Sequence, residues 1–440
     1  MPMSDTRIDG TGDPVVIVGL ALEAPGGIDT SEKYWDLLAG GREALGPFPT
    51  DRGWQVSELL AGSRRSGFKE IHDRGGFLSG ATTFDPEFFG ISPREAVAMD
   101  PQQRVVLRVS WRALENSGIN PDDLAGHDVG CFVGASATGY GPQMANFSQH
   151  SGHLLAGTAL SVISGRVAYT LGLAGPALTV DSSCASALAA FHVAVRSVQN
   201  GDCDLALAGG VNVLGSPGFF VEFSKQHALS DDGHCRPYSA HASGTVWAEG
   251  AAMFVLQRKS AALRAGRHVV AEVRATAVNQ DGRSAGLSAP SAEAQVRLFR
   301  RAMTQAGIGA ADVGMVEGHG TGTRLGDRTE LRSLADTYGA TVPGGGAVLG
   351  SVKSNVGHAL AASGALGLAK VVVSAEHGAI PPTLHAADPS PEIDWDSQGL
   401  RLAKTMTPWP AVGGQRIAAT SAFGIAGTNA HVIVSLPEVA

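Results

Sequence analysis

Four loops of this 440-residue sequence carry side chains able to do covalent chemistry. The first lies in Ala177-Leu-Thr-Val-Asp-Ser-Ser-Cys-Ala-Ser-Ala-Leu-Ala-Ala190. Leu178 to Asp181 reads as a short buried strand. An Ala-rich helix runs from Ala185 to a stop at Asn200-Gly201. Cys184 stands where strand becomes helix. The first amides of a helix lack intrahelical partners, and the helix dipole favours negative charge there. A cysteine in that place is expected to hold its thiolate more readily and to act as a nucleophile near neutral pH. The opposing reading is an inert, buried cysteine. The stretch alone does not choose between them, but two histidine loops downstream do.

Glu317-Gly-His-Gly-Thr-Gly-Thr323 follows a strand directly. Glycines leave the His319 ring accessible, and Thr321 and Thr323 offer hydroxyls suited to an amide-rich arm such as phosphopantetheine. Ser351-Val-Lys-Ser-Asn-Val-Gly-His-Ala-Leu360 repeats the plan, with His358 opening an Ala/Gly-rich helix. Lys353 has small or apolar neighbours, so it reads as a partly buried charge near two imidazoles. In Ser421-Ala-Phe-Gly-Ile-Ala-Gly-Thr-Asn429 the glycines let backbone amides face a ligand, although Phe423 by itself reads as ordinary core. A thiolate, two imidazoles, a lysine and amide donors suit thioester exchange and carbon–carbon bond formation. The spacing contains no metal-ligand pattern, no Walker loop and no Gly-x-Ser-x-Gly elbow. A Cys–His hydrolase would need one histidine and an orienting Asn or Asp, not two matched histidine loops. Asp327 and Glu330 could orient the His319 loop, against a default of solvated carboxylates.

The elements that must hold these loops alternate. Strands are expected at 14–19, 128–133, 178–181, 205–213 and 245–256, then at 271–278, 313–317, 347–352, 416–421 and 431–436. Helices are expected at 31–38, 92–100, 101–116, 292–306 and 359–376, with a polar surface excursion over 52–75. The pattern predicts an α/β protein of two similar halves around one core, 14–257 with the cysteine and 258–440 with both histidines, after a disordered tail at 1–13. No sequence repeat marks the duplication. Apolar residues make up 44%, enough for a large core, and the net charge is −8 with no basic run, which disfavours nucleic acid. Arg64, Arg65 and Lys69 form the one candidate patch for an acidic partner. Cys131, Cys203 and Cys235 read as structural, and four scattered cysteines fit a reducing cytoplasm. No signal core is seen, and the most apolar run, Gly364 to Ile380, is broken by Lys370, Glu376 and His377, so no membrane span is expected.

These motifs resemble one family closely. Asp181-Ser-Ser-Cys-Ala-Ser-Ala-Leu188, Glu317 to Asp327, Lys353-Ser-Asn-Val-Gly-His358 and Gly427-Thr-Asn-Ala-His431 are similar to those of the β-ketoacyl synthases of modular polyketide synthase type. So are Phe89 to Ala96, Met99-Asp-Pro-Gln-Gln-Arg104 and Asn279-Gln-Asp-Gly282. The resemblance runs from Pro14 to about Leu436. It implies a thiolase-like, five-layered αβαβα fold and a homodimer. Cys184 would be the acylated nucleophile. His319 and His358 would assist decarboxylation and stabilise the enolate, with Lys353 as a supporting charge. The amides of Cys184 and Phe423 would form the oxyanion hole, Thr321 and Thr323 would contact pantetheine, and Ile425 would flank the acyl pocket.

No bound cofactor or metal is implied, since phosphopantetheine arrives on a partner acyl carrier protein. A separate acyltransferase and other assembly-line modules would be further partners. Ser183, Ala185 and Gly318 depart from the residues many relatives carry. Fatty-acid relatives have a Glu where Gly367 stands, as modular relatives do not. The run Phe223 to Tyr238 resembles the discrete ketosynthase of mycobactin-type siderophore assembly. That run implies a malonyl extender and a hybrid peptide–polyketide product, while the end at Ala440 without acyltransferase or carrier motifs suggests a stand-alone ketosynthase or an excised domain, Met1 and the short tail favouring the former. The alternatives are a transacylating, non-elongating ketosynthase, a non-condensing partner subunit akin to a chain-length factor, and a coenzyme A thiolase or hydroxymethylglutaryl synthase.

Overall fold

The computed structural model describes residues 12–141, 152–339, 346–409, 411 and 414–437. Most of the expected tail lies outside them. Its last residue, Asp13, is tied down, because its carboxylate accepts from the Ser260 amide at 2.8 Å.

Among the described residues thirteen strands form in chain order: β1 (Val15–Glu23), β2 (Val129–Gly134), β3 (Ala177–Val180), β4 (Leu205–Asn212), β5 (Gly250–Arg258), β6 (Ala271–Gln280), β7 (Met315–Glu317), β8 (Val348–Gly350), β9 (Ala379–Ile380), β10 (Arg401–Leu402), β11 (Thr407–Pro408), β12 (Gln415–Phe423) and β13 (Thr428–Pro437). Eleven make one sheet in the order β10-β8-β7-β12-β13-β6-β1-β5-β4-β2-β3, while β9 and β11 pair separately. The duplication that the sequence hides is plain in this order. From the first strand of each half, β1 or β6, the sheet runs antiparallel to the last strand of that half, β5 or β13, and then to the last but one, β4 or β12. It continues parallel to the second and third. The halves join where Val16 and Ile17 pair with Glu272 and Ala271.

Five layers follow from where apolar side chains go. Helices Pro101–Asn116 and Ser161–Leu171 cover one outer face, and Ala292–Ala306 with Arg324–Ala335 cover the other. Between the two halves lie the first middle helix, Ser186–Asn200, and the second middle helix, Ser363–Glu376. The first is rich in Ala and the second in Ala and Gly because both are packed nearly all round, and small side chains let backbones approach. A Cβ on Gly364 would meet Leu188 Cγ at 2.5 Å, and one on Gly134 would meet Ala187 N at 2.3 Å. Each middle helix is preceded by a short 3-10 turn, Ser183–Ala185 or Leu360–Ala362. Each turn begins on a left-handed residue, Ser183 at φ 57° and Leu360 at φ 44°.

Three sequence expectations need correction. The strand before Cys184 is not buried, since β3 lies at the edge of the sheet and Leu178 is exposed. The 52–75 stretch is not a mere surface excursion. It contains the helix Val56–Arg65 and the buried Ile71, and its Arg52 reaches inward to buried Glu249, with Nη2 to Oε2 at 2.9 Å. The strand expected from Thr245 starts only at Gly250, because residues before it pair elsewhere, Trp247 with His358 and Ala248 with Gly76. Lys370, which breaks the most apolar run, is buried and pairs with Glu317 at 2.8 Å. Removing one partner of such a pair costs about 3–5 kcal/mol. Among the described residues no helix is long and apolar enough to cross a membrane.

The Gly134 contact is with backbone and cannot relax by a rotamer change. Gly134→Ala is expected to destabilise the fold by roughly 1–3 kcal/mol, read as a lower denaturant midpoint in urea unfolding.

Candidate active site

The turn that carries Cys184 is built by local hydrogen bonds. Asp181 Oδ1 accepts from the Ser183 amide at 3.0 Å and from Ser136 Oγ at 2.8 Å, and the Ser182 amide donates to Ser186 Oγ at 2.9 Å. These hold Ser183 in its left-handed conformation and place Cys184 in the 3-10 turn ahead of the helix proper. Among the described residues no oxygen accepts from the Cys184 amide.

His319 hangs on a loop whose amides are gripped by two buried carboxylates. Glu330 accepts from the His319 amide at 2.6 Å and the Gly320 amide at 2.8 Å. Asp327 accepts from the Thr321 and Gly322 amides, both at 3.1 Å. Asp327 and Glu330 are therefore buried anchors, not solvated carboxylates. Burial pushes the Asp327 carboxyl up to about 7 and raises Glu330 as well. Tyr238 joins both anchors, its amide donating to Asp327 at 2.7 Å and its hydroxyl to Glu330 at 2.8 Å. This hydroxyl explains Gly318, since a Cβ there would lie 1.9 Å from it.

His358 follows β8 much as Cys184 follows β3. Its backbone is clamped by the Val246 carbonyl at 2.7 Å and the Ala248 amide at 2.9 Å. The Leu360 amide donates to His358 Nδ1 at 3.2 Å, so Nδ1 is the acceptor and the proton of the neutral ring sits on Nε2. Ser363 Oγ is also 2.7 Å from Nδ1. The Phe423 amide donates to His319 Nδ1 at 3.4 Å, which assigns the same tautomer to His319. The imidazole centroids lie 5.4 Å apart with planes at 85°, and Trp247 packs on His358 at 5.0 Å.

A cavity of about 770 Å³ is lined by Cys184, His319, His358, Phe423, Thr321 and Thr323, with Ile425 also on its wall. Thr321 and Thr323 hydroxyls are 2.9 Å apart. Lys353 is buried one turn before His358, and no carboxylate lies within ion-pair distance of it among the described residues. The structure thus gathers Cys184 and both histidines with Phe423, Thr321, Thr323 and Ile425, and sets Lys353 behind them as a charge felt at a distance. Sequence reasoning missed Trp247, Tyr238 and Ser363. Only Ser363, five residues after His358 at the head of a helix, carried a readable signal.

Desolvation sets the electrostatics. It lowers both imidazoles well below their ordinary value, with Lys353 adding to the effect, so both rings are neutral donors. It lowers Lys353, against the raising influence of Glu317 and Glu330. The stabilised Cys184 thiolate expected from the helix start is not found. Burial raises the thiol, and the Ser183 hydrogen bond and the Lys353 charge only partly offset it. Cys131 and Cys235, pushed by burial to about 12, and Cys203, to about 11, are buried free thiols. The Arg64, Arg65 and Lys69 patch is largely neutralised, with Arg64 on Glu70 at 3.0 Å and Lys69 on Asp231 at 2.9 Å.

A raised thiol predicts that Cys184 alkylation by iodoacetamide still accelerates with pH above about 8.5, the ordinary thiol value. Lys353→Met removes a charge that favours the thiolate and is expected to slow alkylation severalfold at pH 8, as followed by mass spectrometry of the Cys184 peptide.

The comparisons with known proteins agree with this geometry. The family model described as "Beta-ketoacyl synthase, N-terminal domain" matches residues 12–262, and "Beta-ketoacyl synthase, C-terminal domain" matches residues 270–387. The chain is 49% identical over 424 residues to Polyketide synthase GfsB of Streptomyces halstedii, covering 96% of this chain and 8% of that protein. It is 49% identical over 428 residues to Erythronolide synthase EryA3 of Saccharopolyspora erythraea, covering 97% and 14%. It spans less than a fifth of the length of these curated relatives. The solved oxazolomycin ketosynthase domain OzmH KS7 of Streptomyces albus matches with a TM-score of 0.89 at 36% identity, covering 97% of this chain and 74% of that one. The chain belongs to the β-ketoacyl synthase family, the acyl-transferring condensing enzymes, as a ketosynthase of the modular polyketide synthase type.

Proposed function

We propose that the chain takes an acyl group from a carrier-protein thioester onto Cys184 and condenses it with a malonyl unit on a second carrier. The observation that carries this reading is the convergence of one thiol, two neutral imidazoles and a threonine pair on a single cavity. In the first stage Cys184 sulfur attacks the acyl carbonyl. The new carbon–sulfur bond replaces the one to pantetheine, and the Cys184 proton ends on the departing pantetheine thiol. Cys184 loses this proton as it attacks, because the thiolate is the nucleophile, and the burial that raises the thiol makes that loss part of the barrier. In the second stage malonyl loses carbon dioxide, and the enolate carbon attacks the acyl-Cys184 carbonyl. The carbon–carbon bond forms as the Cys184 carbon–sulfur bond breaks, leaving a 3-ketoacyl thioester on the carrier.

Each stage places negative charge on an oxygen. The Nε2–H groups of His319 and His358 are the donors for the enolate, preorganised and shielded from water. The amides of Cys184 and Phe423 serve the acyl oxygen. The Phe423 amide, at a long 3.4 Å from His319 Nδ1, exchanges that contact for the stronger one with an oxyanion. Lys353 supplies field and not contact. Thr321 and Thr323 hold the pantetheine amides, and Ile425, exposed on the cavity wall, flanks the acyl group. A siderophore setting with a hybrid peptide–polyketide product draws support from the Phe223–Tyr238 run. Phe223, Gln226, His227, Ala228 and Asp231 of that run line the cavity. The proposal includes carrier and acyltransferase partners, a homodimer and a cytoplasmic location.

Intact-protein mass spectrometry after acyl-carrier and then malonyl-carrier tests the reading. An acyl adduct absent from Cys184→Ala, followed by a carrier product longer by one acetate unit, is the expected result. His319→Ala and His358→Ala should acylate yet elongate roughly 10²–10³-fold more slowly, the usual cost of losing a donor to an oxyanion. Acylation without elongation would mark a transfer-only enzyme, and no adduct would mark a non-condensing subunit.

A further inference from the structure

Away from the cavity wall, three side chains from distant parts of the sequence close around one point. Glu43 Oε1 lies 2.8 Å from His234 Nδ1 and 2.7 Å from His385 Nε2. Glu43 Oε2 is 3.0 Å from His234 Nδ1 and is bonded by Arg74. The three donor atoms lie within 4.8 Å of one another. The Glu43 side chain is 14% exposed and the two imidazoles 29% and 28%, so the group is sunk into the surface with one side open to water.

We infer that Glu43, His234 and His385 form a site for one divalent transition-metal ion of the zinc class. Two imidazole nitrogens and one carboxylate oxygen, with water in the fourth place, are a donor set that zinc takes. Imidazole selects against magnesium and calcium, which prefer oxygen. Metal–ligand bonds of about 2.0–2.2 Å set tetrahedral donors roughly 3.4 Å apart. The cluster therefore opens by about half an ångström to admit the ion. The ion takes the place of the hydrogen bonds between the imidazoles and the carboxylate, each neutral ring binding through the nitrogen that faces Glu43 and carrying its proton on the other. Arg74 holds Oε2 and leaves Oε1 for the metal, as an outer partner of a ligating carboxylate does. His385 sits at φ 61°, a left-handed conformation uncommon for a residue with a side chain. That conformation is held at the point where the ring meets Glu43.

The site reaches the catalytic loops through backbone. The Ala44 amide, next to Glu43, donates to the Asn355 carbonyl at 2.7 Å. The Leu384 amide, next to His385, donates to Ser354 Oγ at 3.0 Å. Ser354 and Asn355 belong to the short helix Lys353–Val356 just before His358. Next to His234, Cys235 Sγ donates to the Thr321 carbonyl at 3.3 Å. A bound ion thus ties together the segments that back both histidine loops.

The active site itself offers sulfur and nitrogen ligands, so the test uses the full chain carrying Cys184→Ala. After chelator treatment it is titrated with zinc chloride by calorimetry and with cobalt chloride by absorption. One zinc per chain, tetrahedral cobalt bands without thiolate charge transfer, and a rise in melting temperature with zinc but not with magnesium are expected. Adding His385→Asn, which tolerates the left-handed backbone, or His234→Gln should abolish uptake while the melting temperature in chelator stays near that of the parent. Absence of zinc uptake by the Cys184→Ala chain overturns the inference. So does uptake of equal stoichiometry and affinity in a folded His385→Asn or His234→Gln chain.

Discussion

The meeting of the cavity residues depends on how closely two helices can lie against sheet and against each other. The helix Ser186–Asn200 touches β2 at Gly134 and the second middle helix at Gly364, where a side-chain carbon would collide with Ala187 or Leu188. Backbone packed this closely excludes water. It brings the turn after β3 and the turn after β8 to the same cavity, one with the thiol and the other with an imidazole. Small residues in both middle helices are thus a condition for the chemistry as well as for the core.

Excluded water then governs the charges. The same desolvation raises a thiol and two carboxylates while lowering two imidazoles and a lysine. Burial thus disfavours the charged form of each of these groups, and the two imidazoles rest neutral. Each fixed dipole in such a medium acts more strongly than it would in water. The carboxylates that remain are spent on backbone, with Glu330 and Asp327 holding the His319 loop and Glu317 Oε1 accepting from the Val352 amide at 2.6 Å. They fix the imidazoles through the main chain and leave the ring edges free.

The sequence was most legible where a motif and an element boundary coincide. Cys184 and His319 stand just after a strand and His358 one short helix later, and local composition marks all three places. The two-half architecture was legible as alternation, but the match between halves was not. It lives in strand order, where different residues fill equivalent turns, Ser183 in one and Leu360 in the other. Arg52 was misread because polarity suggests solvent, while its partner Glu249 lies nearly two hundred residues away. The thiolate was misread because a helix start favours anions, yet depth of burial is invisible in a local stretch and outweighs it. Glu43, His234 and His385 escaped notice for the same reason, since no short spacing connects them.

Tyr238 and Gly318 show how such long-range fits constrain change over time. The hydroxyl that braces Glu330 occupies the volume an alanine methyl would need at 318, and the ring carbon behind it is also close, at 3.0 Å. The two positions are therefore epistatic. A lineage can acquire a larger residue at 318 only after the ring at 238 has shrunk or moved, because the reverse order passes through a clashing intermediate. Two residues eighty positions apart thus behave as one heritable character, and the order of substitution is written into the geometry of the catalytic loop.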